Sequence, residues 1–205
     1  MTLTKTLLEN LLAIEAVQIK PDRSFTWTSG IKSPIYCDNR LTMSYPKVRA
    51  LITQGFLEKL EAEGLLPTHI SGCATAGIPH AAWLSDALDL PMSYVRGSAK
   101  KHGKQNQIEG TVQAKDKVIV VEDLISTAGS VIETVKAIEA TGADVIGVVA
   151  IFSYGLDKAR VAFETQHVPY YTLANFDQLV ALMLDNATIS RDEAASLLDW
   201  RNGLV

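Results

Sequence analysis

The residues with the clearest chemical potential lie in one stretch, Val118-Ile-Val-Val-Glu-Asp-Leu-Ile-Ser-Thr-Ala-Gly-Ser130. A β-branched run leads into two adjacent carboxylates, Glu122 and Asp123. Leu124 and Ile125 then join them to small residues, Ser126, Thr127, Ala128 and Gly129, and a helix is expected to open at Ser130. Consecutive backbone N–H groups in such a loop can converge on one anion, and the positive end of the helix dipole strengthens that grip. Thr127 and Ser130 add hydroxyl donors. The pattern suits a phosphate monoester. The carboxylates ahead of it are placed to accept hydrogen bonds from vicinal hydroxyls, so the two features together describe a ribose 5-phosphate. The Walker GK[ST] ending is missing, and so is GxGxxG. An ordinary strand-to-helix turn with a Ser or Thr cap would use the same residue types.

A second stretch is basic. Arg96-Gly-Ser-Ala-Lys-Lys-His-Gly-Lys104 concentrates five potential cations, Arg96, Lys100, Lys101, His102 and Lys104, in a chain of net charge −4. Such cations repel one another until an anion arrives, which fits a loop that closes over a polyanion. A solvated basic loop would look the same in isolation. The third stretch, Ala74-Thr-Ala-Gly-Ile-Pro79, would let a pyrophosphate approach the backbone closely around Thr75 and Ala76.

These stretches need a scaffold. Apolar spacing predicts helices over Thr4–Val17, Tyr45–Gly64, the segment after Pro79 up to Leu88, Ser130–Thr141 and Leu156–Glu164. Strands are expected at His69–Cys73, Met92–Val95, Lys117–Val121, Ala143–Phe152 and around Tyr170–Thr172, with one or two helices after them. The alternation predicts an α/β fold with a mainly parallel sheet flanked by helices, whose ligands collect at the carboxyl ends of the strands. All three chemical stretches fall at such ends. Residues 1–40 are read as an N-terminal helix and a small β-rich hood, and residues 41–205 as the α/β core of the same compact domain.

With 205 residues, 47% hydrophobic and 20% charged, the chain can bury a full core and presents no overall attraction for nucleic acid. Cys37 and Cys73 have neither CxxC nor zinc spacing and are expected to be reduced thiols. The acids within the N-terminal helix exclude a signal peptide, and no apolar run spans a bilayer, so a cytoplasmic protein is expected. His69, His80 and His167 are scattered and read as structural or surface residues, and Trp83 and Trp200 as packing groups.

Val120-Val-Glu-Asp-Leu-Ile-Ser-Thr-Ala-Gly-Ser130 resembles the phosphoribosyl pyrophosphate (PRPP) signature of the type I phosphoribosyltransferases. Phe25-Thr-Trp-Thr-Ser-Gly-Ile-Lys-Ser-Pro-Ile-Tyr-Cys-Asp-Asn-Arg40 resembles the hood of the orotate phosphoribosyltransferases, and Tyr94–Gly110 their catalytic loop. The resemblance implies transfer of the 5-phosphoribosyl group from PRPP to orotate in pyrimidine nucleotide synthesis, with release of pyrophosphate. It implies that Glu122 and Asp123 hold the ribose hydroxyls and that Ser126 to Ser130 hold the 5′-phosphate. It assigns Arg96, Lys100, Lys101 and His102 to pyrophosphate, acting in the partner subunit's site of a homodimer. Thr75 and Ala76 belong to its pyrophosphate loop, where a cis Ala74–Thr75 bond is expected. Ser126, Lys32, Tyr36 and Cys37 are implied in orotate binding, and Mg²⁺ is implied as a cofactor held mainly by substrate and water. Some relatives carry lysines at the positions of Thr28, Ala76 and Gly97, and an arginine where Ser153-Tyr-Gly-Leu156 stands. A transferase for a purine or uracil, and a non-catalytic PRPP sensor on the same fold, are the rival readings.

Overall fold

The computed structural model describes residues 2–26, 30, 32–97 and 107–204. Helix α1 (Leu3–Ala13) leads into a hood of short strands, β1 (Val17–Ile19), β2 (Phe25–Thr26), β3 (Lys32–Ser33) and β4 (Ile35–Cys37), and a 3₁₀ segment, Asn39–Ser44. The core follows as α2 (Pro46–Ala62), β5 (His69–Cys73), α3 (Gly77–Leu88), β6 (Met92–Val95), β7 (Ile108–Glu109), β8 (Lys117–Ile125), α4 (Gly129–Glu139), β9 (Asp144–Ser153), α5 (Asp157–Gln166), β10 (Tyr170–Asn175), α6 (Phe176–Asp185) and α7 (Arg191–Asn202). Among the described residues, no helix is long and apolar enough to cross a membrane.

The six-stranded sheet has the order β10-β9-β8-β5-β6-β7, parallel except for β7, which runs antiparallel to β6. The β-branched runs explain why it is covered on both faces. Side chains alternate along a strand. Ile119, Val121, Val149 and Ile151 therefore join one core cluster with residues of α1, α2, α3 and α6, while Val118, Val120, Val148 and Ala150 join the other with residues of α4 and α5. Leu7, Leu8 and Leu11 tie α1 into the first cluster.

Several element boundaries differ from expectation, and those of the first helix, β8 and α4 bear on the site. The first helix stops at Ala13, because the chain turns through Glu15 at φ 58° and Val17 pairs with Cys37. Strand β8 runs through the acidic pair to Ile125, held by β9 with Leu124 opposite Phe152 and Ile125 opposite Ser153. The loop after it is correspondingly shorter, and α4 opens at Gly129.

Gly77 at the start of α3 presses on β8 just before the acids: a Cβ there would collide with the carbonyl oxygen of Val121. Gly77→Ala is expected to destabilise the fold by about 1–3 kcal/mol, seen as a lowered denaturant midpoint at unchanged slope.

Candidate functional site

The chain passes from β5 to β6 on one side and later places β8 on the other side of β5. The carboxyl ends of β5 and β8 therefore flank the switch point of the sheet, the crevice where open α/β folds bind ligands. Strand β5 ends at Cys73, and its partner register is Gly72 opposite Val121. Glu122 is thus level with Cys73, Asp123 runs past the end of β5, and a cavity of about 370 Å³ opens there. Its walls are Cys37, Asp38 and Arg40 from the hood side, Ala74, Thr75 and Ala76 after β5, Glu122, Asp123 and Leu124 on β8, and Ser130 on α4. Ala74 also lines two neighbouring cavities. One of about 170 Å³ reaches Arg96, Gly97 and Glu133, and one of about 490 Å³ reaches Tyr94, Arg96 and Glu109. The Ala74–Thr75 peptide bond is cis, as expected.

The N-terminus of α4 is built to receive an anion. Ala128 precedes it in the left-handed conformation at φ 65°, no side chain caps the helix, and its first turn carries no acid. The first amides of an α-helix have no partner within the helix, and such a left-handed residue next to a helical turn points successive N–H groups into one concavity. A Cβ added at Gly129 would meet open space, so the approach to these amides is clear. Ser126 is half-buried and Thr127 exposed, whereas Ile125 and Ala128 turn their side chains into the core and leave only backbone to the loop.

The acids are held tightly. Glu122 is buried and its Oε1 accepts the Asp123 N–H at 2.9 Å. Burial, followed by a hydrogen bond with Asp123 and its charge, raises the Glu122 pKa well above the carboxylate range, and burial raises that of Asp123. The folded state therefore binds a proton that the unfolded chain releases at its ordinary pKa of 4.5. This contribution is complete below that pH and is lost as pH rises through the raised value. Glu122→Gln should accordingly lose less stability than wild type as pH rises from 4.5 upward, by at most about 1.4 kcal/mol per pH unit in chemical denaturation.

The phosphoribosyl transferase domain family matches residues 45–175, which contain the PRPP-like segment and both strand ends. An orotate phosphoribosyltransferase of Staphylococcus epidermidis is 51% identical over 202 residues, covering 98% of this chain and all of that one. The chain belongs to the orotate phosphoribosyltransferase family. Its fold is also that of the orotate phosphoribosyltransferase from Aeropyrum pernix (TM-score 0.77, 23% identity, 90% of this chain and 99% of that one). It superposes similarly on Leishmania donovani UMP synthase (TM-score 0.79, 24% identity), covering 97% of this chain and 42% of that longer protein.

Within this family member, Glu122, Asp123, Leu124, Ser130, Thr75, Ala76 and Cys37 meet at one cavity, and Arg96 stands at the adjoining ones. Arg96 pairs with Glu109 at 3.4 Å, and its N–H donates to the carbonyl of Gln107 at 2.9 Å. Lys100, Lys101 and His102, like Thr28, lie outside the described residues. Two hood residues are not brought to the cavity wall. The Lys32 ammonium donates to Thr26 Oγ1 at 2.8 Å within the β2–β3 hairpin, and the exposed Tyr36 ring lies against Phe25 at 5.8 Å. Cys37 is on the wall, and burial and then the charge of Asp123 push its thiol pKa up.

Asp38 and Arg40 join the site without having been expected there. Asp38 accepts the Arg40 guanidinium at 2.6 and 2.8 Å, which holds its carboxyl below the usual range, and both line the cavity. Their position directly after Cys37 was the available signal. Where some relatives have an arginine after β9, this chain has Tyr154, and Arg201 reaches its carbonyl from α7 at 3.2 Å while clamped on Asp177 at 2.8 and 3.0 Å.

Proposed function

We propose that this chain transfers the 5-phosphoribosyl group of PRPP to orotate, forming orotidine 5′-monophosphate and pyrophosphate in pyrimidine nucleotide synthesis. The observation that carries this reading is the uncapped, open N-terminus of α4, which follows by a short loop the buried Glu122 and half-buried Asp123. The amides from Ser126 to Ser130 hold the 5′-phosphate, and the two acids accept the ribose hydroxyls. The turn at Thr75 and Ala76 lines the same cavity and receives the departing pyrophosphate.

The reaction requires no covalent nucleophile from the protein. Departure of pyrophosphate leaves positive charge on the ribose ring, and a nitrogen of orotate forms the new bond to the anomeric carbon. The chain's tasks are positioning and charge compensation. Arg96, Lys100, Lys101 and His102 balance the growing charge on pyrophosphate, and closure over it excludes water. The catalytic cations act in the neighbouring subunit of a homodimer. Backbone groups at Tyr36 and Cys37, with Ser126, face orotate.

Among the described residues, no group of three or more His, Cys, Asp or Glu could cage a metal ion. The half-buried Asp123 carboxylate on the cavity wall suits Mg²⁺ held mainly by pyrophosphate, ribose hydroxyls and water. Bound there, Mg²⁺ would neutralise pyrophosphate charge. Both cysteines are free thiols, in keeping with a cytoplasmic setting.

Pyrophosphate release measured with PRPP, Mg²⁺ and a panel of bases tests the reading. Release with orotate alone is expected. Release with a purine or uracil instead would overturn the base assignment, and PRPP binding without release would favour the sensor.

A further inference from the structure

Asn39, Thr42 and His80 are buried polar side chains that the steps above do not use. They form a chain that ends on the acidic pair. Asn39 Nδ2 donates to the backbone carbonyl of Asp123 at 2.7 Å, across 84 residues of sequence. Only the N–H end of an amide can pair with a carbonyl, which fixes its orientation. The Thr42 hydroxyl donates to the backbone carbonyl of Asn39 at 2.6 Å, and its oxygen lies 3.2 Å from His80 Nε2. A hydroxyl has one proton, so His80 must be the donor to Thr42, as the neutral Nε2–H tautomer. Burial lowers the pKa of His80 to about 4, in keeping with a neutral ring. Asn39 Oδ1 and His80 Nδ1 are left without hydrogen-bond partners among the described residues.

Packing alone does not account for this arrangement. Apolar side chains of similar shape would fill the space without two unpaired acceptors. What the polar chain adds is a link between three walls of the site. Asn39 and Thr42 follow the hood strand that ends at Cys37, His80 sits in the first turns of α3 behind the Ala74–Gly77 turn, and Asp123 lies on β8. In register, β5 stops one residue short of Asp123, and beyond that point the Asn39 amide takes the Asp123 carbonyl.

We propose that Asn39 is a positioning residue, which fixes the Asp123 peptide and so aims its carboxylate at the ribose hydroxyls, with Thr42 and His80 holding Asn39 in place. The proposal rests on the reading that Asp123 holds those hydroxyls.

The test is a double-mutant cycle between Asn39→Ala and Asp123→Asn in the full-length protein, read as kcat/KM for PRPP alongside Tm. Asn39→Ala should lower kcat/KM for PRPP about tenfold in the wild-type background and about threefold or less when Asp123 is already Asn. A merely structural residue would lower Tm and give the same fold-loss in both backgrounds, and that result would overturn the proposal. So would an unchanged kcat/KM in Asn39→Ala. If Asn39→Ala does not fold, Thr42→Val takes its place in the cycle, and Thr42→Ser, which keeps the hydroxyl, should restore the constant. An additive cycle in which Asp123→Asn itself is impaired removes Asn39 alone, whereas an unimpaired Asp123→Asn removes the ribose reading on which it stands.

Discussion

Lys100→Ala is expected to lower kcat by about 10²–10³-fold while weakening PRPP binding only a few-fold, because a cation facing a leaving group stabilises charge that develops mainly in the transition state. The motive is chemical. The wall made by Glu122, Asp123 and Asp38 is acidic, with Arg40 already paired to Asp38, so compensation for departing pyrophosphate has to come from outside that wall. Residues 96–104 supply the densest group of cations in a chain of net charge −4. Single-turnover kinetics read the step directly, and a chemical rate equal to that of wild type would remove Lys100 from the mechanism. Action across subunits adds a second expectation. Mixing Lys100→Ala chains with Asp123→Asn chains should restore about a quarter of wild-type activity, since half of randomly exchanged dimers are mixed and each has one whole site. No recovery after verified exchange would place the cations in their own subunit's site.

Asp123→Asn should lower kcat/KM for PRPP by roughly 10- to 100-fold, the size of a lost hydrogen bond to a charged group. The substitution keeps the shape of the side chain but removes its charge and one acceptor, and its N–H group points a donor where a hydroxyl also donates. The KM for orotate should change little, because Asp123 is assigned to the sugar and not to the base. A loss confined to orotate would reverse that assignment.

Much of the scaffold was legible because its strands are β-branched runs buried on both faces, and a period of two assigns Val118 and Val120 to one side and Ile119 and Val121 to the other. The Glu-Asp pair and the small-residue loop were legible from residue types, and the cis Ala74–Thr75 bond from the resemblance. What escaped depended on partners distant in sequence. Leu124 and Ile125 extend β8 only because β9 continues to Ser153 beside them. Val17 leaves the first helix to pair with Cys37, and the two residues of β7 are a strand only through β6. Asn39 looks like one polar residue among several after Tyr36, and its hydrogen bond to Asp123 has no trace in spacing. Lys32 carried the right charge for an anionic base, yet the hairpin turns it toward Thr26.

The most direct measurement is a crystal structure with orotidine 5′-monophosphate bound. Its phosphate oxygens should lie about 3 Å from the backbone nitrogens between Ser126 and Ser130, and its ribose hydroxyls within hydrogen-bond reach of the Glu122 and Asp123 carboxylates. A nucleotide whose phosphate sat away from the start of α4, or whose sugar turned from both acids, would contradict the assignment.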